Sequence, residues 1–388
     1  MKKSLVALAC LSAMACAAGA AEVELYGTVD TYIAVNHGGG ETDVSLGSGG
    51  ASASFWGIKG SEELTPDTQA VFKLESAFLV DEGTYPDGHQ PDTLFSREAW
   101  LGLSSTKWGT LSFGRQYTPH FLTFGMTDPT DLSLGSSYSP FFFPMPTGVN
   151  GEVNDNLVRH NNSLLYVSPR MAGFTVFAYA ALGEETDRHT GEPSSTDGNV
   201  YNLAVNYANG PFFVMASVLY QDISGNQQSG LGYGLDGSGV VNGYGDPAPG
   251  DYSEDGHVMY YNIGMTYDFG VTKLSGLFMY RDGLNTPEYP NFWVAQLGAA
   301  TPLFGGRWSI SASMLKNNTQ DDSDAYSFGT RYDYPLSKRT KIYVGYELVV
   351  NDDQAKYSIE AGPDSSLHYA NEPGQNQGQF FLGMNHKF

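Results

Sequence analysis

Gln379-Phe-Phe-Leu-Gly-Met-Asn-His-Lys-Phe388 ends the chain and alternates almost without error. Phe380, Leu382, Met384, His386 and Phe388 share one face. Gln379, Gly383, Asn385 and Lys387 share the other, with Phe381 the exception. A period of two with one apolar and one polar face marks a strand between two unlike surroundings. The same pattern recurs upstream. Ile342, Val344, Tyr346, Leu348 and Val350 oppose Lys341, Tyr343, Gly345 and Glu347, and Tyr201, Leu203, Val205 and Tyr207 oppose Asn202, Ala204 and Asn206. Sixteen such stretches are legible, from 23–35 and 51–62 through 68–80, 95–104, 109–117 and 159–168 to 379–388. Each is roughly nine to thirteen residues long, enough to span a bilayer at barrel tilt.

The connections fall into two sets. Short ones, such as Asn209-Gly210 and Phe269-Gly270, carry the residues tight turns require. Long ones include 36–50, 118–158, 222–256 and 352–378. Long and short connections in alternation are the pattern of an outer-membrane barrel. The expected fold is therefore all-β: a transmembrane antiparallel β-barrel of sixteen strands, apolar outside and wet inside.

The other end of the chain agrees. Lys2 and Lys3 precede an apolar run, Leu5 to Ala18, and the small residues Ala18-Gly19-Ala20. This reads as a signal peptide over 1–20, cleaved after Ala20 or Ala21, with the barrel occupying 21–388. A lipoprotein signal at Cys16 is the competing reading, and Ala13 stands where a bulky aliphatic residue is usual. Both cysteines, Cys10 and Cys16, lie inside the signal, which leaves the mature chain no disulfide or thiolate site.

Composition points the same way. Charged residues are 16% and aromatic residues 13%. No stretch after the signal reaches the roughly eighteen apolar residues of a membrane helix. In a barrel only alternate residues need be apolar. The net charge of −22 argues against nucleic acid as a partner and favours cationic solutes. No HExxH, Cys/His or nucleophile-elbow spacing occurs, and Gly232-Tyr-Gly-Leu-Asp-Gly237 lacks the strand-turn-helix context of a dinucleotide site. No enzyme activity and no cofactor are expected. A barrel enzyme and a secreted soluble β-protein are the rival classes.

Several segments resemble the general porins of Gram-negative outer membranes. They are Leu25-Tyr-Gly27; Ser54-Phe-Trp-Gly-Ile-Lys-Gly-Ser-Glu-Glu-Leu64; Ala70-Val-Phe-Lys-Leu-Glu-Ser-Ala-Phe78; Phe113-Gly-Arg-Gln-Tyr-Thr-Pro119; Arg159-His-Asn-Asn-Ser-Leu-Leu-Tyr-Val-Ser-Pro169; and the terminal Phe388. They occur in family order along the whole mature chain. The resemblance implies a homotrimer of sixteen-stranded barrels in outer-membrane lipid. It also implies a third loop folded into each lumen and passive diffusion of small hydrophilic solutes and ions. There are two departures. Phe55 stands where the family usually has Arg, and the third loop carries Asp128-Pro-Thr-Asp131 and a Pro/Phe-rich stretch from Tyr138 to Pro146.

A barrel this wide leaves an aqueous channel, so selectivity must come from a constriction. The segment 118–158 is the loop long and stiff enough to form it, with Pro119, Pro129, Pro140, Pro144 and Pro146. The family match makes Arg115 and Arg159 the basic wall. Parity adds Lys59 and Lys73. Asp128 and Asp131, with Glu152 and Asp155, are the expected acidic side. Simple alternation sets Arg115 with Leu111 and Phe113, so a bulge near Gly114 is expected to turn it inward. Weak cation preference is the expectation, because acids outnumber bases and one wall Arg is missing. Phe380, Leu382, Met384 and Phe388 mark a terminal assembly strand. The acids of the outer loops, such as Asp222, Asp236, Asp246, Asp352 and Asp353, read either as a solvated surface or as ligands bridging Ca²⁺ or Mg²⁺ to lipid headgroups. A solute-specific channel is the nearest functional alternative.

Overall fold

The computed structural model describes residues 22–85, 94–142, 157–183, 198–222, 256–284, 290–359 and 372–388. In chain order the strands are β1 (Glu22–Gly38), β2 (Glu41–Ser48), β3 (Phe55–Thr65), β4 (Thr68–Ala77), β5 (Glu98–Ser105), β6 (Gly109–Tyr117), β7 (Arg159–Val167), β8 (Phe174–Ala181), β9 (Val200–Asn209) and β10 (Phe212–Asp222). There follow β11 (His257–Asp268), β12 (Lys273–Asp282), β13 (Phe292–Leu303), β14 (Gly306–Asn317), β15 (Ala325–Pro335), β16 (Thr340–Asn351) and β17 (Gln377–Lys387). Two helices, α1 (Pro119–Thr127) and α2 (Ser139–Phe142), lie between β6 and β7.

From β3 to β17 each strand pairs antiparallel with the next, and β17 returns to β1 over Thr28–Lys387 to Gly38–Gln377, closing the barrel. β2 and β3 together hold one wall position. β2 pairs with the far half of β1, Thr31 to Gly38, and β3 with the near half, Glu22 to Thr28. The seventeen segments therefore make a sixteen-strand wall, as expected.

The expected loop over 36–50 is corrected here. β1 runs on to Gly38, turns at Gly39 and Gly40 (φ +59° and +83°) and returns as β2. Glu41, Thr42, Asp43 and Ser45 hid that strand, because polar residues on both faces erase the alternation. The strand read over 51–62 begins at Phe55, because 49–54 leaves the ladder. There Ser54 substitutes for the lost partner, its hydroxyl accepting from Asp30 N and donating to Asp30 O.

The outer face is the one periodicity named. Leu101, Leu203, Leu297, Leu382 and their neighbours are exposed on it. Phe380, Leu382, Met384 and Phe388 lie there as well, at the seam. Phe388 N donates to Gly27 O at 3.1 Å, and a Cβ at Gly27 would come 2.5 Å from the Phe388 ring, so the Leu25-Tyr-Gly27 motif leaves room for the last aromatic. The inner face is polar, and much of it is covered. Asn202, Asn262, Gln296, Ser309, Ser311, Ser313 and Glu347 are buried because the third loop lies on them.

Candidate channel constriction

The third loop enters the lumen directly after β6. Thr118 caps α1, its hydroxyl accepting from Phe121 N at 3.1 Å, and Pro119 occupies the first turn, where no N–H is needed. One side of α1, with His120, Thr123, Phe124 and Thr127, is buried. His120 N donates to Asn202 Oδ1 at 2.7 Å, while Asn262 Nδ2 donates to His120 Nδ1 at 3.0 Å. Phe124 stacks on Tyr138 at 4.8 Å and meets Phe142 at 5.1 Å, and Phe141 meets Tyr357 edge-on at 5.3 Å. The described part of the Pro/Phe-rich stretch, Tyr138 to Phe142, thus forms an apolar plug between loop and wall.

Beyond α1 the chain is tied down by polar groups. Gly135 N donates to Glu347 Oε2 at 2.9 Å and Ser137 N to Ser311 Oγ at 3.0 Å. Arg331, 1% exposed, donates to Ser133 Oγ at 2.6 Å and Leu134 O at 2.7 Å and pairs with Asp333 at 3.1 Å. The loop approaches so closely that wall positions such as Gly264, Gly298 and Gly329 have room for glycine alone. A Cβ at Gly298 would come 2.8 Å from Pro129, and one at Gly329 would strike the Gly135 carbonyl.

Asp128 is part of this fastening. It is 5% exposed, and its carboxylate accepts from Thr130 N (2.8 Å), Leu132 N (3.2 Å), Ser136 Oγ (2.7 Å) and Gln296 Nε2 (2.9 Å). It holds the left-handed turn at Asp131 and Leu132 (φ +61° and +52°) and does not face open water. Asp131 is exposed. Glu152 and Asp155 lie outside the described residues.

The wall of β3 to β7 carries the basic groups, and they are largely buried: Arg159 is 4% exposed and the Arg97 side chain 11%, against 27% for Lys73. Lys73 bridges Glu75 at 2.8 Å and Glu98 more closely. Arg97 pairs with Glu75 at 3.3 Å, donates to Tyr117 Oη at 2.6 Å and lies 4.7 Å above the Phe55 ring. Arg159 stacks over Tyr117 at 5.1 Å and donates to Ser96 O at 3.3 Å. Arg115 reaches the same carbonyl at 2.7 Å. Arg115 and Arg159 thus meet at Ser96 O, while Lys73 and Arg97 meet across Glu75. Lys59 lies directly opposite Lys73 across the β3–β4 pair and is itself paired with Glu24 at 3.0 Å.

A bulge does fall near Gly114, as expected, but it does not turn Arg115 toward the lumen. The extra residue sits in β7, where Asn161 and Asn162 both oppose Arg115 and Asn162 takes φ +51°. β6 stays in register with β5, pairing Arg115 with Ala99 on the face of Leu101 and Phe113. Arg97 was missed because alternation over 95–104 sets it with those same residues. The chain becomes extended only at Glu98, so parity does not reach back to it.

His120 gives the site a pH dependence. Its ring is fully buried, and burial pushes its pKa down to about 3. With Nδ1 accepting from Asn262, protonation would set donor against donor. A folded pKa below the unfolded value means docking is fully favoured above about pH 6.5 and weakens as pH falls toward 3, by at most about 1.4 kcal/mol per unit. Single-channel records between pH 7 and 4 should become noisier, and His120→Gln should lessen that change.

Among the described residues no group of three or more His, Cys, Asp or Glu side chains could hold a metal ion, and the acidic loop with Asp236 and Asp246 lies outside them.

Known proteins share this architecture. The family described as Gram-negative porin matches residues 6–354. An outer membrane porin protein of Bordetella pertussis is 30% identical over 376 residues, covering 88% of this chain and 93% of its own length. Outer membrane porin protein 32 of Delftia acidovorans is 28% identical over 397 residues, covering 100% of both. Among solved structures, the anion-selective porin from Comamonas acidovorans superposes with a TM-score of 0.75 at 24% identity, covering 95% of this chain and 100% of that one. A closed sixteen-strand wall, a loop docked inside it, and a sequence match over nearly the whole chain have one reading: this is an outer-membrane protein of the Gram-negative porin family.

Proposed function

We propose that the barrel conducts small hydrophilic solutes and ions by passive diffusion, as a homotrimer in outer-membrane lipid, and that it performs no catalysis. The observation that supports this best is a loop fastened inside a closed sixteen-strand wall, with a cluster of basic groups on the strands away from it. Charges set across a narrow aqueous passage act strongly, since little water remains to screen them.

That wall also bears on selectivity. Among the described residues, Lys73 and Arg97 face Glu75 and Glu98, with Arg159 beside them over Tyr117, while Arg115 reaches Ser96 O from the outer face. Cation preference was expected partly because Phe55 stands in place of a wall Arg, yet Arg97 lays a guanidinium on that ring. The reading that follows is weak anion preference, opposed by acids near the long loops such as Asp321, Asp322 and Asp352. The similar porin from Comamonas acidovorans is itself described as anion-selective. A reversal potential in a KCl gradient tests the sign: anion preference is expected, and cation preference would reject it. The closing strand ending at Phe388, which seals the seam to Gly27, is the element assigned to assembly.

A further inference from the structure

An amphipathic helix turns its apolar stripe inward and a polar face to water. α1 does not. Its buried side carries Pro119, His120, Thr123, Phe124 and Thr127. The residues between them, Phe121, Leu122, Gly125 and Met126, form the less buried side, and none has a polar side chain. Met126 is 46% exposed although its helix lies against the inner wall of β8 to β12. An exposed apolar surface is more informative than a buried one. Here it lines a passage meant for water.

The surface continues onto the wall. Leu122 packs with Leu165, Val167 and Phe213 around buried Phe177 and Met215. At its other end it adjoins the basic wall, since Phe121 stacks on Tyr117 at 5.0 Å and Tyr117 carries both Arg97 and Arg159. Guanidinium groups, two stacked rings and an aliphatic shelf therefore follow one another without a break.

We propose that this strip is a slide for organic anions with an apolar body: the carboxylate is drawn toward the positive field of the Arg97 and Arg159 guanidiniums, of which Arg97 is the more open (side chain 11% exposed) and Arg159 is buried (4%), while the hydrocarbon part rests on Phe121, Leu122 and Met126. The proposal rests on the channel reading above and narrows its solute class. Charge complementarity selects the anion, and the absence of polar side chains on the shelf selects the apolar body. A shallow, half-exposed shelf suits conduction, because a site must be attractive enough to enter and weak enough to leave.

The test uses two carboxylates with the same six-carbon ring: cyclohexanecarboxylate, and quinate, which adds four hydroxyls. Bi-ionic reversal potentials are read at pH 8 on the reconstituted full-length protein, with protein-free bilayers subtracted. Cyclohexanecarboxylate is expected to be the more permeant by roughly threefold or more, about what desolvating one methylene supplies. Met126→Gln should bring the ratio toward one, Leu122→Gln should act likewise, and Met126→Leu should retain it. Each ratio is internal to one variant, so a change in overall conductance does not disturb it. A wild-type ratio of one or less would overturn the proposal, as would a ratio that neither glutamine variant lowers. Failure to pass chloride or either acid would instead remove the channel reading, and this proposal with it.

Discussion

Arg331→Ala is expected to release the third loop from the wall and raise single-channel conductance, with a noisier open level and a larger solute limit. Arg331 lies almost wholly buried in β15 and holds Ser133 Oγ and Leu134 O, both on the loop. It also neutralises Asp333, which keeps Lys341 at 2.9 Å as its remaining partner. Removing one member of a buried, hydrogen-bonded ion pair costs about 3–5 kcal/mol, far more than the ~1 kcal/mol of an ordinary hydrogen bond. Most of that loss falls on loop docking, because the strand ladders on both sides of β15 are made by backbone and remain. Glu347→Gln offers a graded comparison. Its amide oxygen can still accept from Gly135 N, so a smaller change is expected. Conductance and noise equal to wild type in Arg331→Ala would show that the loop is fastened elsewhere.

The double substitution Arg97→Gln and Arg159→Gln should reverse the sign of ion selectivity. It leaves Lys73 alone between Glu75 and Glu98, so acids prevail where bases did. In a KCl gradient the reversal potential should cross zero toward cation preference, and each single variant should shift it part of the way. The effect should shrink between about 0.1 M and 1 M salt, as the screening length falls from about 10 Å to 3 Å. A double variant as anion-preferring as wild type would place the selectivity outside this wall.

Much of the barrel was legible because membrane strands obey one simple rule. Residues facing lipid must be apolar, and those facing the lumen need not be. Leu382, Leu203 and Ile342 could therefore be assigned from parity alone. The rule fails where a strand rises clear of lipid, as in Glu41–Ser48, or where the chain is not yet extended, as at Arg97. It cannot foresee that an acid such as Asp128 will be consumed by its own turn, since that depends on loop contacts far apart in sequence. Lys73, reached by parity, pairs with Glu75 and Glu98, and Arg159, reached by family likeness, lies over Tyr117. The shelf along α1 was hidden for another reason: 118–158 was read as a loop, and a loop gives no periodicity from which the open side of Phe121, Leu122 and Met126 could be assigned.

The most direct test of the account is swelling of liposomes containing the purified, undenatured protein in isotonic arabinose, glucose, sucrose and raffinose. A closed barrel narrowed by one docked loop predicts rates that fall steadily with solute size and rise linearly with concentration. Liposomes that stay sealed to arabinose, or that admit the larger sugars as fast as the smaller, would contradict it.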